Sequence, residues 1–145
     1  MKVYLAGAMS YHVKNDSFEK ATKWREELKS VLSCHNINCF DPCENFQSNG
    51  GYDKKGIVDQ NNYYLKQCDL MVVNFEHILD SPGTLYEMFN FAFLRKPIIG
   101  FGPLYLLNGY IHLNYVVSQY FATDVCPMEM IYKSISDYIV NMYFQ

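Results

Sequence analysis

The chain has 145 residues, half of them apolar, a formal charge of −3 and no Lys/Arg cluster denser than Lys54-Lys55. That length suits one domain, 1–145, with a sizeable core. The charge balance argues against a nucleic-acid polymer as main partner and leaves small molecules as the expected ligands. No apolar run approaches the roughly 20 residues of a membrane span, and Met1-Lys2-Val3-Tyr4-Leu5 enters strand-like sequence without a signal-peptide pattern, so no membrane partner and a cytoplasmic location are expected.

Lys2 to Ala6 reads as a strand ending at Gly7, and Ala8 to Asn15 as a loop. Asp16 and Glu19 have capping-box spacing, and Phe18, Ala21, Trp24, Leu28, Val31 and Leu32 recur at helical intervals, which predicts a helix. Ile37 to Phe40 is a short strand. Asp41 to Gly56, with Pro42, Gly50 and Gly51, is a long loop, and Ile57 to Gln67 a second helix. The continuous apolar run Leu70-Met71-Val72-Val73 predicts a buried parallel strand from Leu70 to Phe75. A helix after Asp80-Ser81-Pro82-Gly83, a strand at Pro97 to Phe101, a loop through Gly109, a helix from Tyr110 to Tyr120, a short strand near Phe121 to Val125 and a helix from Pro127 to Tyr143 complete the chain.

Alternating strands and helices imply right-handed crossovers and a doubly wound, Rossmann-like α/β domain: a parallel sheet of about five strands with helices on both faces. Ligands bind such sheets beyond the C-terminal strand ends, where the loops from Gly7, Asp41 and Glu76 are expected. The cysteines, Cys34, Cys39, Cys43, Cys68 and Cys126, are odd in number and lack zinc-type pairing, so reduced thiols and no metal site are expected. Thirteen tyrosines and ten phenylalanines are a heavy aromatic load, which favours a subunit interface.

Within Thr84 to Leu94 the only charge is Glu87. Apolar residues all round the helix axis place it inside the fold, where desolvation raises a carboxyl's pKa and suits it to reactive chemistry. The alternative is a wet stripe shared with Asn90, three positions away.

Tyr4-Leu5-Ala6-Gly7, Cys68-Asp69 before the third strand, and Asp80-Ser81-Pro82-Gly83-Thr84-x-x-Glu87 followed by Ala92 and Lys96-Pro97-Ile98 together resemble the nucleoside 2-deoxyribosyltransferase family. The resemblance implies that Glu87 attacks the anomeric carbon of a 2-deoxyriboside, that the base departs, and that a second base or water resolves the covalent intermediate. It implies that Tyr4 hydrogen-bonds the nucleophile, that Gly7 borders the substrate, and that Asn114 reaches the neighbouring subunit's sugar site in a homo-oligomer. No metal or organic cofactor is implied; the partners are a nucleoside and a free nucleobase. Gly83, one helical turn before Glu87, would let the sugar approach.

One position departs from the family pattern. An Asp that helps handle the leaving base is expected eight residues before Asp69, and Asn61 stands there. Asp59, Asp80 or a water then remain as proton donors, while Asn61 retains the groups to hydrogen-bond a base edge. Ser81 matches a serine that binds phosphate in a related branch hydrolysing deoxynucleoside 5′-monophosphates. The loop after the first strand has no Arg, however, only Lys14, and Asp80 would repel a phosphate. An unphosphorylated nucleoside is therefore the expected substrate, with N-glycoside hydrolysis as one alternative and a nucleotide-sequestering module without turnover as another.

Overall fold

The computed structural model of the chain describes residues 1–47 and 54–144. Its centre is a five-stranded sheet, β1 (Lys2–Ala6), β2 (Asn38–Phe40), β3 (Leu70–Asn74), β4 (Ile98–Gly102) and β5 (Gln119–Ala122), in the order β2-β1-β3-β4-β5. Every pairing is parallel, as the doubly wound reading requires. Side chains of a strand point alternately to opposite faces, and here that alternation sorts the core. Val3 and Leu5 pack with residues of α2 (Phe18–Ser33) and α8 (Met128–Tyr143) on one face. Tyr4 and Ala6 pack with residues of α4 (Lys54–Gln67) and α5 (Pro82–Phe93) on the other. The two-residue period thus turns Tyr4 toward the helix that carries Glu87.

The chain leaving β1 turns toward the α2 face, whereas the chain leaving neighbouring β3 turns toward the α5 face. The two loops diverge, and a crevice opens at this topological switch point.

Several predicted loops contain short helices. The Ala8 to Asn15 segment winds into α1 (Ser10–Lys14), and the start of the Asp41 loop forms α3 (Pro42–Gln47). The second has a local cause: Pro42 supplies a helical φ at the first position, and Asp41 Oδ1 accepts the Cys43 N–H at 2.9 Å as a helix cap does. The rest of that loop, 48–53, lies outside the described residues. The loop after β4 contains α6 (Leu104–Asn108), and a 3-10 turn, Ile78–Asp80, precedes α5.

The predicted helix from Tyr110 spans only Ile111–Val116 (α7), because Val117 is extended and β5 begins at Gln119, earlier than expected. The capping box does not form either. Asp16 takes a left-handed φ of 52°, α2 starts after Ser17, and the Ser17 hydroxyl is instead 2.9 Å from His12 Nδ1.

Arg25 ties the frame together below the crevice. It lies on the apolar face of α2 and is wholly buried. Its Nη1 donates to the Ala21 carbonyl (2.7 Å) and its Nη2 to the Gly7 carbonyl (3.0 Å), while Nε lies 3.4 Å from Asp41 Oδ1. Lys29 neutralises the other Asp41 oxygen at 3.0 Å. A buried charge with its partners removed is costly, so Arg25→Leu is expected to lower stability by about 3–5 kcal/mol. A shift in the urea midpoint at unchanged slope would measure this.

Candidate active site

Gly7 closes β1 because nothing larger fits there: an added Cβ would lie 2.9 Å from Trp24 Cζ2 and 3.4 Å from both Arg25 Nη2 and Asn74 Cβ. Beyond it opens a cavity of about 420 Å³. One wall is Met9, Ser10, Val13 and Lys14, from α1 and the residue before it. The opposite wall is Ser81, Pro82, Gly83, Thr84 and Glu87, from the start of α5, and Ile57 and Asn61 of α4 complete the lining.

Glu87 is half-buried, and it lines this cavity. The surrounding helix is less dry than its sequence suggests: Thr84, Met88 and Phe91 are buried, but Tyr86 and Phe93 are exposed. The carboxylate accepts a hydrogen bond from the Tyr4 hydroxyl, which reaches it from β1. Loss of water around it pushes the Glu87 carboxyl up to about 7, although the Tyr4 bond and the positive charge of Arg25 act in the opposite direction. Burial, and then the Glu87 charge, hold the Tyr4 phenol well above its ordinary range, so the phenol keeps its proton and donates it. The result is a carboxylate that is oriented, poorly solvated and open on one side to a ligand-sized space.

The remaining sequence candidates divide. Gly83 lines the cavity and has open space where a Cβ would stand. Ser81 precedes the first residue of α5, but its hydroxyl donates to the His77 carbonyl (2.8 Å) and caps no helical N–H. Asn61 lines the cavity, and its buried Oδ1 has no hydrogen-bond partner. Asp59 and Asp80 are exposed and outside the lining; Asp59, two positions from Asn61 on the same helix, falls on another face. Asn114 is exposed on α7 and likewise outside the lining of its own chain's cavity.

Sequence reading missed Arg25 and the α1 wall. The signal for Arg25 was available, since positions 21, 24, 25, 28 and 32 form one buried stripe and 25 is its only charge. For α1 no signal existed, because a five-residue helix has no periodicity to read.

A family model described as "Nucleoside 2-deoxyribosyltransferase like" matches residues 1–105, which include β1, α4 and the whole of α5. The chain belongs to that family. Solved structures similar to this member include a 2-deoxyribosyltransferase from Bacillus psychrosaccharolyticus, at 17% identity and TM-score 0.65, covering 95% of this chain and 92% of that one. A CMP N-glycosidase from Clostridium botulinum is similar at 20% identity and TM-score 0.63, with 95% and 99% covered. At such identities these likenesses speak for a common fold. No curated protein matches the chain.

Among the described residues no cluster of three or more His, Cys, Asp or Glu side chains is arranged to hold a metal ion, and no helix is long and apolar enough to cross a membrane. The Cys39, Cys43 and Cys68 thiols are pushed up by burial to about 12, 11 and 11, so they stay protonated and unreactive at neutral pH.

Two outcomes follow for this family member. The raised Glu87 pKa means that the folded chain binds more protons than the unfolded chain between pH 4.5 and about 7, so this residue's contribution to stability falls as pH rises through that window. Glu87→Gln is therefore expected to stabilise the protein at pH 8, by about 1–2 kcal/mol after allowing for solvent in the cavity, and much less at pH 4.5. Parallel urea titrations at the two pH values would show it. Gly83→Ala is expected to leave the thermal midpoint within about 2 °C of wild type, since its methyl group meets no atom, while narrowing the cavity beside Glu87.

Proposed function

We propose that this protein transfers a 2-deoxyribosyl group between nucleobases through a covalent intermediate on Glu87. The observation that carries the reading is the Tyr4–Glu87 hydrogen bond at the edge of the cavity, within a chain of the deoxyribosyltransferase-like family. In the first step the Glu87 carboxylate bonds to the anomeric carbon as the glycosidic bond breaks and the base leaves with that electron pair, taking a proton from solvent. In the second step a ring nitrogen of another base bonds to the same carbon and loses its proton to solvent, while the Glu87–carbon bond breaks and frees the carboxylate. A carboxylate held near a developing oxocarbenium ion lowers the barrier to both steps, as in retaining glycosidases. Tyr4 fixes the oxygen it binds and leaves the other to attack. Gly83 leaves room for the sugar, Gly7 floors the site, and the unpartnered Asn61 Oδ1 accepts an N–H from the base.

The second reading is hydrolysis of a deoxynucleoside 5′-monophosphate, with water in place of the acceptor base. One observation favours it: Ser10, Lys14 and Ser81 line the same cavity as Glu87, and the start of α5 adds the positive end of a helix. Asp80 stays outside the lining, so the repulsion expected from it is weaker than its position in sequence suggests. The similar CMP N-glycosidase fits hydrolysis of a nucleoside monophosphate, though CMP is a ribonucleotide, and the similar 2-deoxyribosyltransferase fits the first reading.

The assembly is proposed to be a homo-oligomer. Phe93 on α5 and Ile111 and Tyr115 on α7 are 85%, 83% and 88% exposed, and α5 and α7 are neighbours. Large apolar side chains grouped in this way suit a subunit contact, and one would carry Asn114 toward a partner's cavity.

Purified protein given a 2′-deoxynucleoside and a different free base is expected to yield the exchanged deoxynucleoside, with Glu87→Ala reducing the rate by roughly 10³-fold or more. Base release without exchange, faster on 5′-monophosphates, would select the hydrolytic reading; an inert wild type would sink both. Activity should rise with pH through about 7 as Glu87 ionises. Tyr4→Phe removes a bond that favours the ionised form, so its acidic limb should move to higher pH, with about a tenfold loss in kcat. Mixing inactive Glu87→Ala and Asn114→Ala proteins should restore part of the activity if each site takes Asn114 from its neighbour. Sedimentation of the wild type as a monomer would remove that part of the reading.

A further inference from the structure

The α1 wall of the cavity is a short element packed against α2. It has five residues, too short to persist alone, and its preceding residue makes no side-chain cap. Ser10, Val13 and Lys14 share one helical face, and that face lines the cavity. Tyr11 and His12 lie on the other side, where the contacts that hold α1 must be made.

Besides the packing against α2, ring contacts from both residues meet His77, in the loop that follows β3. The Tyr11 and His77 rings are stacked, with centroids 3.7 Å apart and planes 16° from parallel. His12, buried and bound to the Ser17 hydroxyl, meets the His77 ring edge-on at 5.4 Å. The His77 backbone faces the other wall: its carbonyl accepts the Asp80 N–H (3.1 Å) and the Ser81 hydroxyl (2.8 Å), at the start of α5. His77 takes a left-handed φ of 59°, uncommon outside Gly but adopted more readily by Asn, Asp and His than by other residues.

We infer that His77 is a positioning residue, a latch across the crevice whose ring holds α1 and whose carbonyl holds the start of α5, so that the Tyr11–His77 stack sets the separation of the cavity's two walls. The two partners sit on loops that diverge from neighbouring strands, and among the described residues the ring contacts at His77 join them beyond the strand ends. A pair of aromatic rings needs no ordered water and no charge, so it can hold a short helix in place at the rim of a wet cavity. The inference concerns the shape of the cavity and stands whichever reaction occurs there.

Amide hydrogen exchange of residues 9–15, read by mass spectrometry on the full chain without substrate, tests it. Tyr11→Leu and His77→Asn each remove one ring, and Asn tolerates the left-handed backbone at position 77. Each is expected to speed exchange in 9–15 by about three- to tenfold, with exchange in β1 and β3 unchanged. Tyr11→Phe, which keeps the ring, should restore wild-type protection. The effects in the double variant should be less than additive, since both substitutions remove the Tyr11–His77 stack. Wild-type protection in both single variants, failure of Tyr11→Phe to restore it, additive effects in the double variant, or faster exchange across the sheet would each overturn the inference.

Discussion

A carboxylate in poorly solvated surroundings must be hydrogen-bonded, and the bond from Tyr4 to Glu87 is the interaction around which this cavity is arranged. It joins the middle of β1 to the second turn of α5, two elements brought together only by the parallel sheet. Because β1 and β3 are neighbours whose following segments leave to opposite faces, the bond sits beside an opening and not beneath a covered core. The crowding there also suits Gly7, since Trp24, Arg25 and Asn74 all lie close to where a Cβ would stand.

Two charges of opposite sign lie near this opening, Arg25 buried and Glu87 half-buried, with different consequences. Arg25 faces Asp41, which it shares with Lys29, and donates to the Gly7 carbonyl, so it stabilises the frame and also biases Glu87 toward ionisation. Glu87 has one hydrogen bond and an open side, so burial dominates and its proton is held more tightly than usual. A nucleophilic carboxylate benefits from that balance: too well solvated, it would be a weak nucleophile, and too buried, it would stay protonated. The cost falls on stability at neutral and higher pH, a common trade at reactive sites.

Much of the frame was legible in the chain itself. The continuous apolar run Leu70-Met71-Val72-Val73 marks a buried strand, Pro97 to Phe101 marks another, and Ser81-Pro82 marks the start of α5. The single charge in α5 marked Glu87 before any contact was known. The short helices α1, α3 and α6 were not legible, because five or six residues contain too little periodicity and their order comes from tertiary contacts and backbone capping. The misread capping box has a similar origin: Asp16 and Glu19 have the right spacing, but the backbone at Asp16 turns left-handed and Ser17 is occupied by His12.

Residue type and spacing alone therefore determined the fold class and singled out Glu87 as the candidate carboxylate, because both follow from local periodicity and from the rarity of a charge among apolar neighbours. Which groups share the cavity was decided only by the tertiary structure. Asn61 lines it and Asp59, two positions earlier, does not; Ser81 lines it and Asp80 does not. Those distinctions depend on how α4 and α5 are rotated against the sheet, and Tyr11 meets His77 only because the loops after β1 and β3 emerge side by side. Such rotations and meetings are settled by packing between distant segments, and no pattern within one segment records them.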